Sequence, residues 1–234
     1  MTEGAHAVHA AIVDEVLRGR HSVRGYLPRA VPRPLLREIL EVAARAPSGT
    51  NMQPWRVHVL TGASRQSLVA ATCAAFDAGD RSHRAEYAYY PETFFEPYLG
   101  RRRQLGFALY GLLGIARGDT ARMQAQHRRN FEFFDAPVGL IFSIDRRLAL
   151  GSWLDCGMFL QNIMIAARAR GLDTCPQAAW IDFHRIVSEV CRFDENEQLV
   201  CGMALGYADP NASENSLAST RVAVDDFTVF HADD

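Results

Sequence analysis

The longest apolar stretch of the chain, residues 153–169, limits the fold more than any other segment. Asp155, Gln161, Asn162 and Arg168 interrupt it, so it fails as a membrane span and reads as a buried helix. Gly171 supplies the stop and places that helix over 153–170. Runs suited to strands flank it, 138–144 before and 172–179 and 199–207 after, the last apolar enough to be buried.

Upstream, Val8, Ile12, Val13, Val16 and Leu17 recur at helical spacing and predict a first helix ending near Gly19. Pro32 and Pro34 open a second, with Leu35, Leu36, Ile39, Leu40 and Ala43 on its apolar side; it stops before Pro47. Trp55, Val57 and Val59 alternate with Arg56 and His58, the pattern of a half-buried strand. Residues 64–134 read as helical with a loose middle, where Tyr87, Tyr89, Tyr90, Phe94, Phe95 and Tyr98 cluster around Pro91 and Pro97. That aromatic patch is either core or a lid over a substrate pocket. Residues 182–192 form a further helix, and after Tyr207 all periodicity is lost, leaving an extended tail that must lie on something to be ordered. With no repeat and no linker in 234 residues, strands among helices predict a single α+β domain over 1–234.

Charge and side-chain chemistry remove several functions. A formal net charge of −2 without a face-sized basic segment argues against nucleic acid as a partner. Every cationic Lys or Arg position is arginine, which rules out a Schiff-base lysine. Cys73, Cys156, Cys175, Cys191 and Cys201 show neither CxxC nor zinc spacing and are expected as free thiols, with no metal site. Residues 1–20 lack the pattern of a signal peptide, so a cytoplasmic location is expected, without a membrane partner. Gly111, Gly114 and Gly118 lie in an apolar helical pattern rather than after a strand; they read as helix-packing glycines, not as a dinucleotide fingerprint.

Two segments of the first quarter concentrate polar chemistry. In Arg20-His21-Ser22-Val23-Arg24-Gly25-Tyr26, two guanidiniums and a hydroxyl just beyond a helix can hold a phosphate, or can simply be solvated surface charge. In Ala46-Pro47-Ser48-Gly49-Thr50-Asn51-Met52-Gln53-Pro54-Trp55, hydroxyls and amides can meet a planar polar ligand, or Ser48 and Asn51 can cap their own turn.

These two stretches, with "GMFLQNIMIAARARGLDTCPQAAW", "CGMALGYADP" and the late "STR", follow one another in an order and spacing that resembles the FMN-dependent nitroreductase family over essentially the whole chain. The resemblance implies an α+β flavoprotein fold, a mixed central sheet flanked by helices, a homodimer with two FMN sites at its interface, and a C-terminal arm over about 208–234. It implies FMN as cofactor and NADH or NADPH as donor, with ping-pong two-electron reduction of nitroaromatic or quinone-like compounds. No side chain is implied as catalytic.

By the same resemblance Arg20, Ser22 and Arg221 hold the FMN phosphate, with backbone contacts from His21, and Arg24 lies near the N1 and O2 edge of the flavin. Pro47, Ser48, Asn51 and Gln53 come from the opposite subunit. Pro176, Gln177, Ala178 and Ala179 pass along the ring, with an N–H of Ala178 or Ala179 reaching N5, and Asn130 is a further candidate at the pyrimidine edge. Gln177-Ala178-Ala179 stands where some members carry an acidic residue and glycine, and Ser219-Thr220 where some carry a lysine. Only backbone contacts carry over at the first place, and Arg221 alone supplies charge at the second. Competing readings are a related flavin enzyme for dehalogenation or enone reduction, a flavin-binding protein without turnover, and a helical interaction module without a cofactor.

Overall fold

The computed structural model describes residues 3–231. In chain order the elements are α1 (Glu3–Gly19), α2 (Arg33–Ala43), β1 (Arg56–Leu60), α3 (Gly62–Asp77), α4 (Tyr98–Leu112), α5 (Thr120–Arg128), β2 (Val138–Asp145), α6 (Leu150–Arg168), β3 (Asp173–Gln177), α7 (His184–Cys191) and β4 (Glu197–Gly206). The α+β class holds, and the 64–134 region resolves into α3, α4 and α5 separated by irregular chain. The sheet runs β1-β2-β4-β3, and all three strand pairings are antiparallel. Its expected mixed character is confined to one parallel bridge, Ser22 to Thr174.

Helices cover both faces of this sheet, and the alternation of strand side chains divides the core accordingly. Val138, Leu140, Phe142 and Ile144 of β2 pack with Cys201, Met203 and Leu205 of β4 against α2 and α6. Ile141 and Ala204 point the other way, towards Leu68, Phe131, Phe133, Trp180 and Val187. Between Phe142–Cys201 and Ser143–Leu199 the register slips by one residue, so Val200 is the extra residue of a bulge. That slip reverses the parity of β4: Leu199 packs with the α3 and α7 side, while Val200 joins the other core.

Glycine makes room for the largest rings. A Cβ on Gly202 would lie 2.3 Å from Trp180 Cδ1, and one on Gly139 would lie 2.5 Å from Phe133 Cζ. Trp180, fully buried, stacks on Phe133 with centroids 4.5 Å apart. Gly114 and Gly118 have φ of +61° and +88°, so they serve turns rather than helix packing, and Gly111 has nothing near its missing Cβ.

One departure concerns the first helix. Val8, Ile12, Val13 and Leu17 of α1 are 45–58% exposed, and Leu150 and Leu154 at the start of α6 are 82% and 72% exposed. Helical periodicity shows which side is apolar but not whether a single chain covers it.

A buried carboxylate joins three strands. Glu197 of β4 accepts from Ser143 Oγ of β2 (2.5 Å) and from the Asp194 N–H (3.1 Å), and lies 2.8 Å from His58 Nε2 and 2.9 Å from Arg56 Nη1 of β1. Burial alone would raise its pKa, but the hydrogen bonds from Ser143, His58 and Asp194 and the Arg56 contact outweigh it and hold the pKa below the ordinary 4.5.

Two stability predictions follow from these contacts. Gly202→Ala overpacks the Trp180 site and should cost about 1–3 kcal/mol in denaturant unfolding. A carboxylate with a depressed folded-state pKa stabilises fully above its unfolded value and loses that contribution as pH falls through the folded one. Wild type should therefore lose stability below about pH 4.5 through Glu197, and Glu197→Gln should flatten that part of a pH series of unfolding midpoints.

Candidate functional site

After α1 ends at Gly19, the chain runs extended along the outer edge of β3. The Val23 N–H donates to the Thr174 carbonyl (3.1 Å), the Leu27 N–H donates to the Tyr207 carbonyl (2.9 Å), and Tyr26 bridges Ala208. Period-two geometry buries Val23 and sends Arg20, Ser22 and Arg24 to the opposite side, where all three are half-buried. Arg24 Nη1 donates to the Ser22 carbonyl at 3.2 Å, and the ring nitrogen Nδ1 of His21 lies 3.1 Å from the Gly19 carbonyl.

Arg221, from the far end of the chain, meets this segment. Burial lowers the proton affinity of Arg20, and the Arg221 guanidinium lowers it further, against a small opposing effect of Cys175. Arg221 Nη1 donates to Ser219 Oγ (2.8 Å) and to the carbonyls of Thr220 (2.9 Å) and Ser219 (3.1 Å). Both arginines line a cleft of about 590 Å³ with Arg18, His21, Asn215, Ser216 and Ser219, and neither Asp nor Glu lines it. Like charges held together among hydroxyl and amide groups, without a carboxylate in the lining, have the chemistry that suits an anionic ligand.

Asn215 holds the two halves of this cleft together. Its Oδ1 accepts from the N–H groups of Arg24 (2.8 Å) and Gly25 (3.2 Å), and its Nδ2 donates to the carbonyls of Gly25 (2.8 Å) and Asp209 (2.9 Å). Gly25 must lack a side chain here, since its Cβ would lie 2.4 Å from Ala212 Cβ. Neither residue was found by sequence reasoning: Asn215 lies in the unperiodic tail, and its partner is 190 residues away.

The second segment is a preformed loop. Gly49–Asn51 forms a 3-10 turn, Ser48 Oγ accepts from the Gln53 N–H (2.9 Å), and the Ser48 carbonyl accepts from the Asn51 N–H (2.9 Å). Ser48 Oγ thus ties down the backbone just beyond the turn, while the turn itself has no side-chain cap. Buried Asp155 of α6, seen in the sequence only as an interruption of an apolar run, accepts the Gly49 N–H at 3.2 Å. Thr50, Asn51 and Gln53 all adopt positive φ, at 50°, 61° and 50°. Left-handed non-glycine residues are uncommon, and three in one loop keep Pro47, Asn51 and Gln53 exposed.

At the end of β3, Pro176 is exposed and Gln177 is buried. Gln177 Nε2 donates to the Asn130 carbonyl (2.6 Å), and Trp180 Nε1 donates to Gln177 Oε1 (3.4 Å). The Gln177 side chain therefore belongs to the core, leaving only its backbone for a ligand. Ala178 and Ala179 begin a 3-10 turn without a side-chain cap, so their N–H groups lack an intrahelical partner. Asn130 Nδ2 donates to the His127 carbonyl (2.8 Å).

These candidates fall into two sets. Arg20, His21, Ser22, Arg24 and Pro176 to Ala179 gather at the β3 edge, with Arg221 joined to them by the tail. Pro47, Ser48, Asn51 and Gln53 precede β1 at the other edge, three strand spacings or roughly 14 Å away across the sheet. A cavity of about 950 Å³ between α2 and the start of α3 is lined by none of them. The aromatic segment divides: Tyr87 Oη donates to the Leu199 and Val200 carbonyls at 3.0 Å each, while Tyr89, Tyr90, Phe95 and Tyr98 stay exposed.

A family model described as the nitroreductase family matches residues 17–207. The chain is 40% identical over 218 residues to a chloronitrobenzene nitroreductase of Comamonas testosteroni, covering 93% of this chain and 96% of that one. It is 42% identical over 217 residues to a 4-nitrobenzoate reductase of Pseudomonas putida, covering 93% and 94%. A crystal structure of the FMN-dependent nitroreductase NfnB from Mycobacterium smegmatis in complex with NADPH superposes with a TM-score of 0.91 at 30% identity, covering 95% of this chain and 99% of that one.

Asn215→Ala removes the tie between the tail and the Arg24 segment and leaves backbone groups unpaired. It should cost about 1–3 kcal/mol and raise amide hydrogen exchange at Arg24 and Gly25 selectively.

Proposed function

The chain belongs to the nitroreductase family, and we propose that it is an FMN-dependent NAD(P)H oxidoreductase reducing nitroaromatic or quinone-like compounds. The observation that carries this function is the pairing of Arg20 with Arg221 in a cleft without carboxylates, the chemistry required by a phosphate monoester.

The residues present fit FMN. Arg20, Ser22 and Arg221 would hold its phosphate, with the His21 backbone beside them. Arg24 would place positive charge at the pyrimidine edge of the ring, favouring negative charge there. Pro176, Gln177, Ala178 and Ala179 would offer backbone along the ring, including an N–H from Ala178 or Ala179. When bound, FMN supplies a carrier for two electrons between NADH or NADPH and the oxidised acceptor. The chain's own part is binding, orientation and charge, and no side chain is needed as a proton donor in this account.

A homodimer accompanies this function. The loop with Pro47, Ser48, Asn51 and Gln53 would reach the ring from a second copy, since within one chain the sheet separates it from Arg20. The exposed apolar rows of α1 and α6 support such an assembly, because patches of this kind mark interaction surfaces. Among the described residues no helix is long and apolar enough to cross a membrane, and no group of three metal-ligating side chains gathers. We place the enzyme in the cytoplasm as one domain acting on small molecules.

Arg20→Ala and Arg221→Ala test the phosphate site. Each should weaken FMN retention by about 1.5–3 kcal/mol, read as a raised dissociation constant in fluorescence titration. Retention equal to wild type in both variants would remove the phosphate assignment.

A further inference from the structure

A second cleft, of about 600 Å³, lies between α4 and the tail and is lined by Arg101, Gln104, Leu105, Thr220, Arg221 and Val222, among others. It is held by the folded chain, since Ser213 Oγ donates to the Leu112 carbonyl at 3.2 Å and fastens the tail to the end of α4. Ala218, Ser219 and Arg221 line this cleft and the Arg20 cleft alike, so Arg221 stands in the wall between them.

The chemistry of this second cleft is as one-sided as that of the first. α4 carries Arg101, Arg102 and Arg103 and no acidic residue, and neither Asp nor Glu lines the cleft. Arg102 is engaged elsewhere, with its guanidinium carbon 4.2 Å from the centroid of the Phe94 ring and 5.4 Å from that of Tyr90. Arg101 is the arginine of the three that lines the cleft, its guanidinium carbon 5.7 Å from the centroid of the Tyr98 ring. The Arg101 guanidinium, the Thr220 hydroxyl and the Gln104 amide match a phosphate monoester, with Arg221 shared at the border with the Arg20 cleft, and Leu105 and Val222 add apolar surface for a flat heterocycle.

In the proposed function the Arg20 cleft takes the FMN phosphate, which leaves the adjoining cleft for a second phosphorylated participant. NADPH differs from NADH by one phosphate monoester, on the adenosine 2′ oxygen. We propose that the cleft between α4 and the tail is the subsite for that 2′-phosphate, and that Arg101 selects NADPH over NADH. The assignment rests on the FMN-dependent reading of the Arg20 cleft. It gives the arginine run of α4 a ligand at Arg101 alone, with Arg102 held on aromatic rings.

The test uses the FMN-loaded protein and Arg101→Ala. The ratio of kcat/KM for NADPH over that for NADH should fall about tenfold or more, the size expected for a lost charged hydrogen bond. By calorimetry 2′-AMP should bind wild type more tightly than 5′-AMP, and the variant should lose that preference while holding as much FMN as wild type. An unchanged donor ratio with an unchanged preference for 2′-AMP would overturn the proposal. So would a loss confined to a carboxylated acceptor such as 4-nitrobenzoate, measured against nitrobenzene, because the cleft would then serve the acceptor. Wild type that neither retains FMN nor oxidises NADPH would overturn the functional reading itself, and this proposal with it.

Discussion

β4 is the constraint on which the other elements depend. It is buried along nearly its whole length and pairs with β2 on one side and β3 on the other, so it sets where both edges of the sheet lie. Trp180 fits against Gly202 of this strand, Glu197 at its start ties it to β1 and β2, and the Arg20 segment is hydrogen-bonded to β3 one strand away. Dense packing on both faces leaves little freedom in these positions. The cleft between Arg20 and Arg221 is therefore built on the rigid part of the molecule, although the guanidiniums that line it come from loop and tail.

Electrostatics supplies what packing does not. Bringing Arg20 and Arg221 together costs free energy, because burial and like charge both oppose the charged form of Arg20. In the proposed function a dianion would reverse the sign of that interaction, and the repulsion would favour phosphate over neutral ligands. The tail that carries Arg221 also carries Asn215, whose four hydrogen bonds fasten it to the Arg24 segment and to Asp209. Holding the tail and presenting the charge are thus separate tasks of neighbouring residues.

Much of this architecture is legible in the amino-acid order. Apolar runs locate β2, β4 and α6, and the prolines at 32, 34 and 47 bracket α2 and the loop after it. Periodicity also finds α1, yet it cannot tell a core face from an exposed one, and Val8, Ile12 and Leu17 are exposed. Features that depend on long-range partners leave no local trace. Asp155 looks like a polar interruption until the Gly49 N–H is seen beside it, and the bulge at Val200 shows only in the pairing of β2 with β4. Gln177 lies within a matched motif, but its amide serves the core through Asn130 and Trp180. Motif order located the candidate site, whereas the assignment of each side chain to ligand or core required the fold.

The measurement that tests the central claim most directly is an absorbance spectrum of the purified protein, followed through anaerobic addition of NADPH and then of a nitroaromatic acceptor. The account predicts a yellow protein with bound FMN that bleaches with the donor and regains its colour with the acceptor. Protein that stays colourless after reconstitution with FMN, or bound flavin that no nicotinamide donor reduces, would contradict it.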